Sequence, residues 1–155
     1  MDPSVQSLLD DLKSPDEERR DRATQTLWHR WFHQKGMTGL EQLQRAQYLM
    51  DVDDFPAAEA VLTELIAAQP DFSEAWNRRA VLRYTQKRYK QAIMDCKTVL
   101  RLVPYHFGAL HGMGLCYAAV GQYRDAIRIF HRALEVQPHV TINRVLLLEC
   151  TTRLD

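Results

Sequence analysis

Three prolines, Pro70, Pro104 and Pro138, stand thirty-four residues apart, and this interval constrains the chain more than any other feature. Four further columns keep the same phase. They are the alanines Ala58, Ala92 and Ala126, the aromatics Phe55, Tyr89 and Tyr123, the small residues Ala46, Ala80 and Gly114, and the bulky Ile66, Leu100 and Leu134. A period of this length marks a stack of supersecondary units, each burying its apolar side against the next. The small residue in a first helix and the alanine in a second let two antiparallel helices cross at about 8–10 Å. An aromatic opening the second helix fills the wedge beside the turn. Proline stops that helix, because it has no N–H to donate and its ring clashes with the preceding turn.

The columns resemble the tetratricopeptide repeat (TPR) family. The third copy matches nearly every position, from Ala109-Leu110-His111-Gly112-Met113-Gly114-Leu115-Cys116-Tyr117 through Gly121-Gln122-Tyr123 to Ala126, Phe130, Ala133-Leu134 and Pro138. The second has Trp76, Tyr89, Ala92, Val99-Leu100 and Pro104, and departs at Arg79 and Arg83. The first keeps its second half and departs at Gln42, Arg45 and Leu49. The chain is similar to small stand-alone bacterial TPR proteins. What the resemblance implies is an all-α fold and a single domain over residues 1–155: an α-α superhelix of three TPR helix pairs (39–72, 73–106, 107–140). An N-terminal helical hairpin (1–38) and a C-terminal capping helix (141–155) flank them.

Local signals place the remaining helices. Asp2-Pro3 reads as an N-cap with proline at the first helical position, followed by a stripe of Val5, Leu8, Leu9 and Leu12. Ser14-Pro15-Asp16-Glu17 reads as a capping box opening a helix that runs to about Lys35, with Gly36 as its stop and Ala23, Leu27, Trp28, Trp31 and Phe32 on its apolar face. The repeats supply helices near 39–52, 55–68, 73–86, 89–102, 107–120 and 123–136. In the last helix, from about Thr141 to Arg153, Ile142, Val145 and Leu146 are expected on the inner face. Leu147 and Leu148 exceed what one face needs, as a buried cap or a contact surface would require. The ends of a solenoid need covering, so the hairpin is expected to cap the first repeat and the last helix the third.

Twenty Lys/Arg balance twenty Asp/Glu, which argues against a general nucleic-acid or membrane binder. The charges are unevenly laid out: residues 1–70 carry seven basic and thirteen acidic side chains, residues 71–155 thirteen and seven. Head-to-tail self-association is therefore conceivable. Cys96, Cys116 and Cys150 have no paired spacing and imply no disulfide framework. With neither a signal-peptide pattern nor a run of about 18 apolar residues, the expectation is a soluble, cytoplasmic protein.

Catalytic and metal motifs are scarce. His29 and His33 are one helical turn apart, but Arg30 stands where a zinc protease has its glutamate, and no third ligand is evident. No phosphate loop, nucleophile elbow or carboxylate pair is present, so no enzyme activity, metal or cofactor is expected. Arg78, Arg79, Arg83, Lys87, Arg88, Lys90, Lys97 and Arg101 crowd the second repeat with Asp95. Asp95 is the expected partner of Arg79 across its own repeat, and the remainder reads as a solvated ridge, or a patch for an acidic protein or RNA.

In the TPR family the first helix of each repeat lines a concave groove that takes a peptide. The resemblance carries this role to Leu43, Gln47 and Met50, to Glu74, Asn77, Arg78, Val81 and Tyr84, and to Gly108, His111, Gly112 and Leu115. Gly108 and Gly112 lie one turn apart, so a ligand backbone or a neighbouring helix can come close there. Family members that hold acidic chaperone C-termini use lysine, asparagine and arginine at positions matched here by Leu43, Gln47, Arg78, Gly108 and Gly112. That carboxylate clamp is absent, so such tails are not expected partners. The expected function is a protein-interaction module, adaptor or assembly factor, holding a peptide or helix of a partner in the groove. The alternatives are a self-associating structural protein, including a homodimer, and an RNA-binding helical repeat. No base-reading pattern recurs from copy to copy to favour the last.

Overall fold

The protein is described by a computed structural model covering residues 3–154, among which there are nine α-helices and no strand. They are α1 (Val5–Asp11), α2 (Glu17–Phe32), α3 (Gly36–Asp51), α4 (Phe55–Ala68), α5 (Ser73–Thr85), α6 (Tyr89–Leu102), α7 (Phe107–Ala119), α8 (Tyr123–Val136) and α9 (Thr141–Thr152). From α3 to α9 each helix packs on the next, giving a stack of antiparallel pairs, an all-α helical solenoid. No helix of the described residues is long and apolar enough to cross a membrane.

The period has a backbone counterpart. Asp53, Lys87 and Gly121, again thirty-four residues apart, have φ of 62°, 60° and 80° and end the first helix of each pair. The N–H of Asp53 donates to the Met50 carbonyl (3.0 Å) and that of Asp54 to Leu49 (2.8 Å). The same two bonds recur at Lys87 and Arg88 and at Gly121 and Gln122. Each turn is a Schellman cap with a left-handed residue just past the helix. Pro70 and Pro138 close the second helices, and their carbonyls accept from Trp76 Nε1 and Arg144 Nη2, both at 2.9 Å. Gly114 marks a tight helix crossing, where an added Cβ would lie 2.5 Å from Cε1 of Phe130.

The arginines of the second repeat are largely structural. Asp95 of α6 accepts from Arg79 Nη2 (2.9 Å) and Nε (3.0 Å), the expected pair, and also from Arg83 Nη1 (3.0 Å). Arg83 and Arg88 both reach Glu59 of α4, Arg88 with two bonds of 2.9 Å. Three helices are thereby tied by one network of charge-assisted bonds.

Several expectations at the ends need correction. Ser4 caps α1 through its Oγ, which accepts from the Ser7 N–H at 3.0 Å, while Asp2 lies outside the described residues. Asp16, not Ser14, caps α2 by accepting from the Glu18 N–H, and α2 stops at Phe32. Gly36 (φ 68°) does break the chain there, but it also begins α3, three residues before the expected start. The hairpin is not an end cap. Leu8, Leu12, Ala23, Leu27 and Trp31 form a core with Phe107, against Val103, Tyr105 and Val136, so α1 and α2 fold back onto the start of the third repeat. In α9, Asn143, Leu146, Leu147 and Cys150 face inward, and Ile142 and Val145 are exposed together with Leu148. The phase is set by Asn143, whose Oδ1 accepts from His111 Nδ1 of α7 at 2.7 Å.

Candidate partner-binding groove

Glu74, near the start of α5, is fully buried and anchors the floor of the concave side. Its Oε1 accepts from Asn77 Nδ2 (3.0 Å) and Arg78 Nε (3.2 Å), and its Oε2 from His106 Nε2 (3.0 Å). Nδ1 of His106 accepts the N–H of Ala109 at 3.1 Å, which caps α7 and places the ring proton on Nε2, aimed at the carboxylate. A buried carboxylate is tolerable only when its lone pairs are met in this way. Among the described residues no buried side-chain polar atom lacks a partner.

Aromatic residues of α2 roof this network. The Trp31 ring stacks on His106 with centroids 4.0 Å apart, and Trp28 meets Phe107 edge-on at 5.3 Å. The guanidinium of Arg78 lies 4.8 Å over the Phe32 ring, and its Nη1 donates to Gln47 Oε1 at 3.2 Å. Gln47 in turn donates to Asp51. The N-terminal hairpin therefore occupies the part of the groove next to Glu74 and Gly108.

Beyond the Trp28 ring the groove stays open. A cavity of about 220 Å³ lies between α5 and α7, lined by Asn77, Ala80, Val81 and Tyr84 on one side and Gly108, His111, Gly112, Leu115 and Cys116 on the other, with Cys96 at its base. An added Cβ at Gly108 would lie 2.6 Å from Cη2 of Trp28, whereas at Gly112 it would meet only Cys96 Sγ, at 4.0 Å. A neighbouring helix thus accounts for the first glycine, and empty space surrounds the second. The cavity is smaller than the roughly 300–1,000 Å³ of a small-molecule pocket, and suits a single apolar side chain.

Of the groove residues expected from sequence, Asn77, Val81, Tyr84, Gly108, His111, Gly112 and Leu115 come together around this cavity. Leu43 and Met50 do not reach the surface; both are buried in the core between α3, α4 and α5, because α3 turns those positions onto Ala58 and Leu62. Gln47, Glu74 and Arg78 are engaged in the network beneath α2. His106 is a further residue of this side that helical phase in the repeats does not point to. Its only sequence signal is its place just ahead of α7, where histidine is not among the strongly preferred N-caps.

The chemistry of the cavity is that of packing. Burial pushes the Cys116 thiol up to about 11, and burial, with Cys116 and Asp95 nearby, raises Cys96 further. Both are neutral thiols at physiological pH and poor nucleophiles. Burial, then Tyr89 and Cys116, raise the Tyr84 phenol above its usual 10.0, leaving it a protonated donor at the rim. His29 and His33 stack on each other on the exposed side of α2, 3.9 Å between centroids, with no third ligand near among the described residues.

Comparison with known proteins agrees with this architecture. Two tetratricopeptide repeat family models match residues 43–106 and 83–145. A TPR repeat-containing protein of Rhizobium etli is 39% identical over 83 residues, 54% of this chain and 41% of that protein. The chain spans less than half the length of the curated relatives it matches. Among solved structures, the first TPR of Spaghetti (RPAP3) bound to the HSP90 peptide SRMEEVD superposes with a TM-score of 0.72 at 19% identity, covering 74% of this chain and 91% of that one. The TPR2B domain of yeast Sti1 in complex with an Hsp70 peptide gives 0.67 at 20% identity, over 73% and 95%. With the period, the left-handed turns and the matched models in agreement, the chain belongs to the tetratricopeptide repeat family.

Proposed function

We propose that this protein is a protein–protein interaction module, an adaptor or assembly factor, that holds a short segment of a partner against α5 and α7. The supporting observation is the apolar cavity over Gly112, flanked by the exposed Val81 and Tyr84. A peptide or helix lying there inserts one bulky apolar side chain, with the Tyr84 hydroxyl available to fix its backbone. Acidic chaperone tails of the kind held by the fold's neighbours are not the ligand in this reading. Of the positions that would form a carboxylate clamp, Leu43 is buried, Arg78 is engaged with Glu74, and Gly108 lies under Trp28. No catalytic role is proposed, and the setting is taken as the cytoplasm.

Affinity capture from native lysate tests the groove with two variants. Gly112→Arg fills the cavity from a position with room for a side chain, and Tyr84→Ala removes the rim. Partners lost with both, from proteins whose circular dichroism matches the parent, support the site; partners retained by Gly112→Arg would place binding elsewhere. Calorimetric titration with SRMEEVD is expected to give no heat of binding.

A further inference from the structure

Because α2 turns into the concave side, it leaves the outward face of α3 bare. The residues of α3 that pack inward are Gly39, Leu43, Ala46 and Met50. On the opposite side, at helical spacing, stand Met37, Tyr48 and the C-cap Val52, all exposed, with Tyr48 64% accessible and the exposed Glu41 and Gln44 between Met37 and Tyr48. The last helix repeats the pattern. Its inward side is Asn143, Leu146, Leu147 and Cys150, and its outward side carries Ile142, Val145 and Leu148, the last 58% accessible, among the exposed Thr141, Arg144, Glu149 and Thr152. Three exposed apolar side chains thus stand among polar ones on a mixed strip at each end of the stack, on its first and last helices, where a solenoid would otherwise continue.

Their surroundings differ in charge. Residues 36–54 carry four carboxylates, Glu41, Asp51, Asp53 and Asp54, against the single Arg45. Residues 123–153 carry five arginines, Arg124, Arg128, Arg132, Arg144 and Arg153, against three carboxylates. Like ends repel and unlike ends attract, which disfavours a symmetric pairing of either strip with itself. We propose that the chain assembles head to tail, the outward face of α9 in one copy seating on the outward face of α3 in the next. Such a contact is heterologous: the assembly always keeps one free end of each kind, so it grows into open chains. Neither strip lines the cavity over Gly112, so this contact and partner binding in the groove stand or fall separately.

The experiment uses two variants at exposed positions, Tyr48→Glu and Leu148→Glu, with light scattering after size exclusion at low ionic strength, where charge pairing is least screened. The parent protein is expected to show a mass that rises with concentration past that of a dimer. Each variant alone is expected to remain a monomer. Mixed in equal amounts, the two should give a species of twice the monomer mass that grows no further, because each supplies the face the other has lost. A parent that stays monomeric at its highest attainable concentration overturns the proposal. So does a closed dimer that one substitution abolishes and the mixture fails to restore.

Discussion

A Cβ at Gly108 meets Cη2 of Trp28 at 2.6 Å and Cε1 of His106 at 3.1 Å, and both rings are held by further aromatics, so neither can yield without disturbing α2. Overpacking of this kind costs about 1–3 kcal/mol. Gly112 has nothing nearer than 4.0 Å, and alanine there should recover up to about 1 kcal/mol of helix propensity. Gly108→Ala is thus expected to lower the urea midpoint and redden tryptophan emission as Trp28 moves toward water, and Gly112→Ala to raise the midpoint with emission unchanged. Equal shifts in the two variants would contradict this account. Both glycines were visible in the sequence as paired departures from helix propensity. What filled each space was not, because it depends on α2, which is remote in sequence from α7. Glu74 and His106 were hidden for a related reason: thirty-two residues separate them, and neither is unusual in its local window.

Helix positions were legible because two independent signals coincide in every repeat, apolar periodicity within each helix and proline or a turn at its end. The turns themselves were only partly so. Gly121 announces a left-handed residue, but Lys87 occupies the same conformation with φ 60° and gives no sign of it. A non-glycine residue is strained there by roughly 1–2 kcal/mol, part of which glycine gives back through its greater freedom when unfolded. Lys87→Gly is expected to stabilise the protein by about 0.5–1 kcal/mol in chemical denaturation, and a loss of stability would mean that the Lys87 side chain makes a contact of value. The phase of α9 is not legible in the sequence, since its apolar residues cover more than half its circumference and only the buried Asn143 fixes which side turns in. Between helices, Glu59 links α4 to α5 and α6. Hydrogen bonding from Arg88, opposed in part by burial and reinforced by Arg83, holds its carboxyl below the usual 4.5. A depressed carboxylate contributes stability that is complete above its unfolded value and disappears as pH falls through the folded one. Denaturation midpoints should therefore hold steady above about pH 5 and fall below it, with a shallower acid fall in Glu59→Gln. A parallel fall in parent and variant would show that the pair adds nothing.

Repeat proteins behave as one-dimensional stacks in which a weak unit can open alone. In this chain the N-terminal hairpin breaks that scheme, because α2 touches the first repeat through Phe32 and the third through Trp28 and Trp31 while sealing Glu74 of the second. Contacts so distant in sequence convert a nearest-neighbour stack into a unit that gains by opening all at once. Trp28 and Trp31 report the hairpin, and far-UV circular dichroism reports mostly the repeats, so the two probes separate the possibilities. Coincident urea transitions are expected in the parent protein, as for a two-state domain. Trp31→Ala removes the ring stacked on His106 and a truncated aromatic of this kind costs about 3–5 kcal/mol. In that variant the fluorescence transition, now reporting Trp28 and Trp76, should begin at lower urea than the loss of helix. Separate transitions already in the parent would instead make the hairpin a loosely held occupant, and the groove beneath it, with Glu74 and His106, would then be open to a partner.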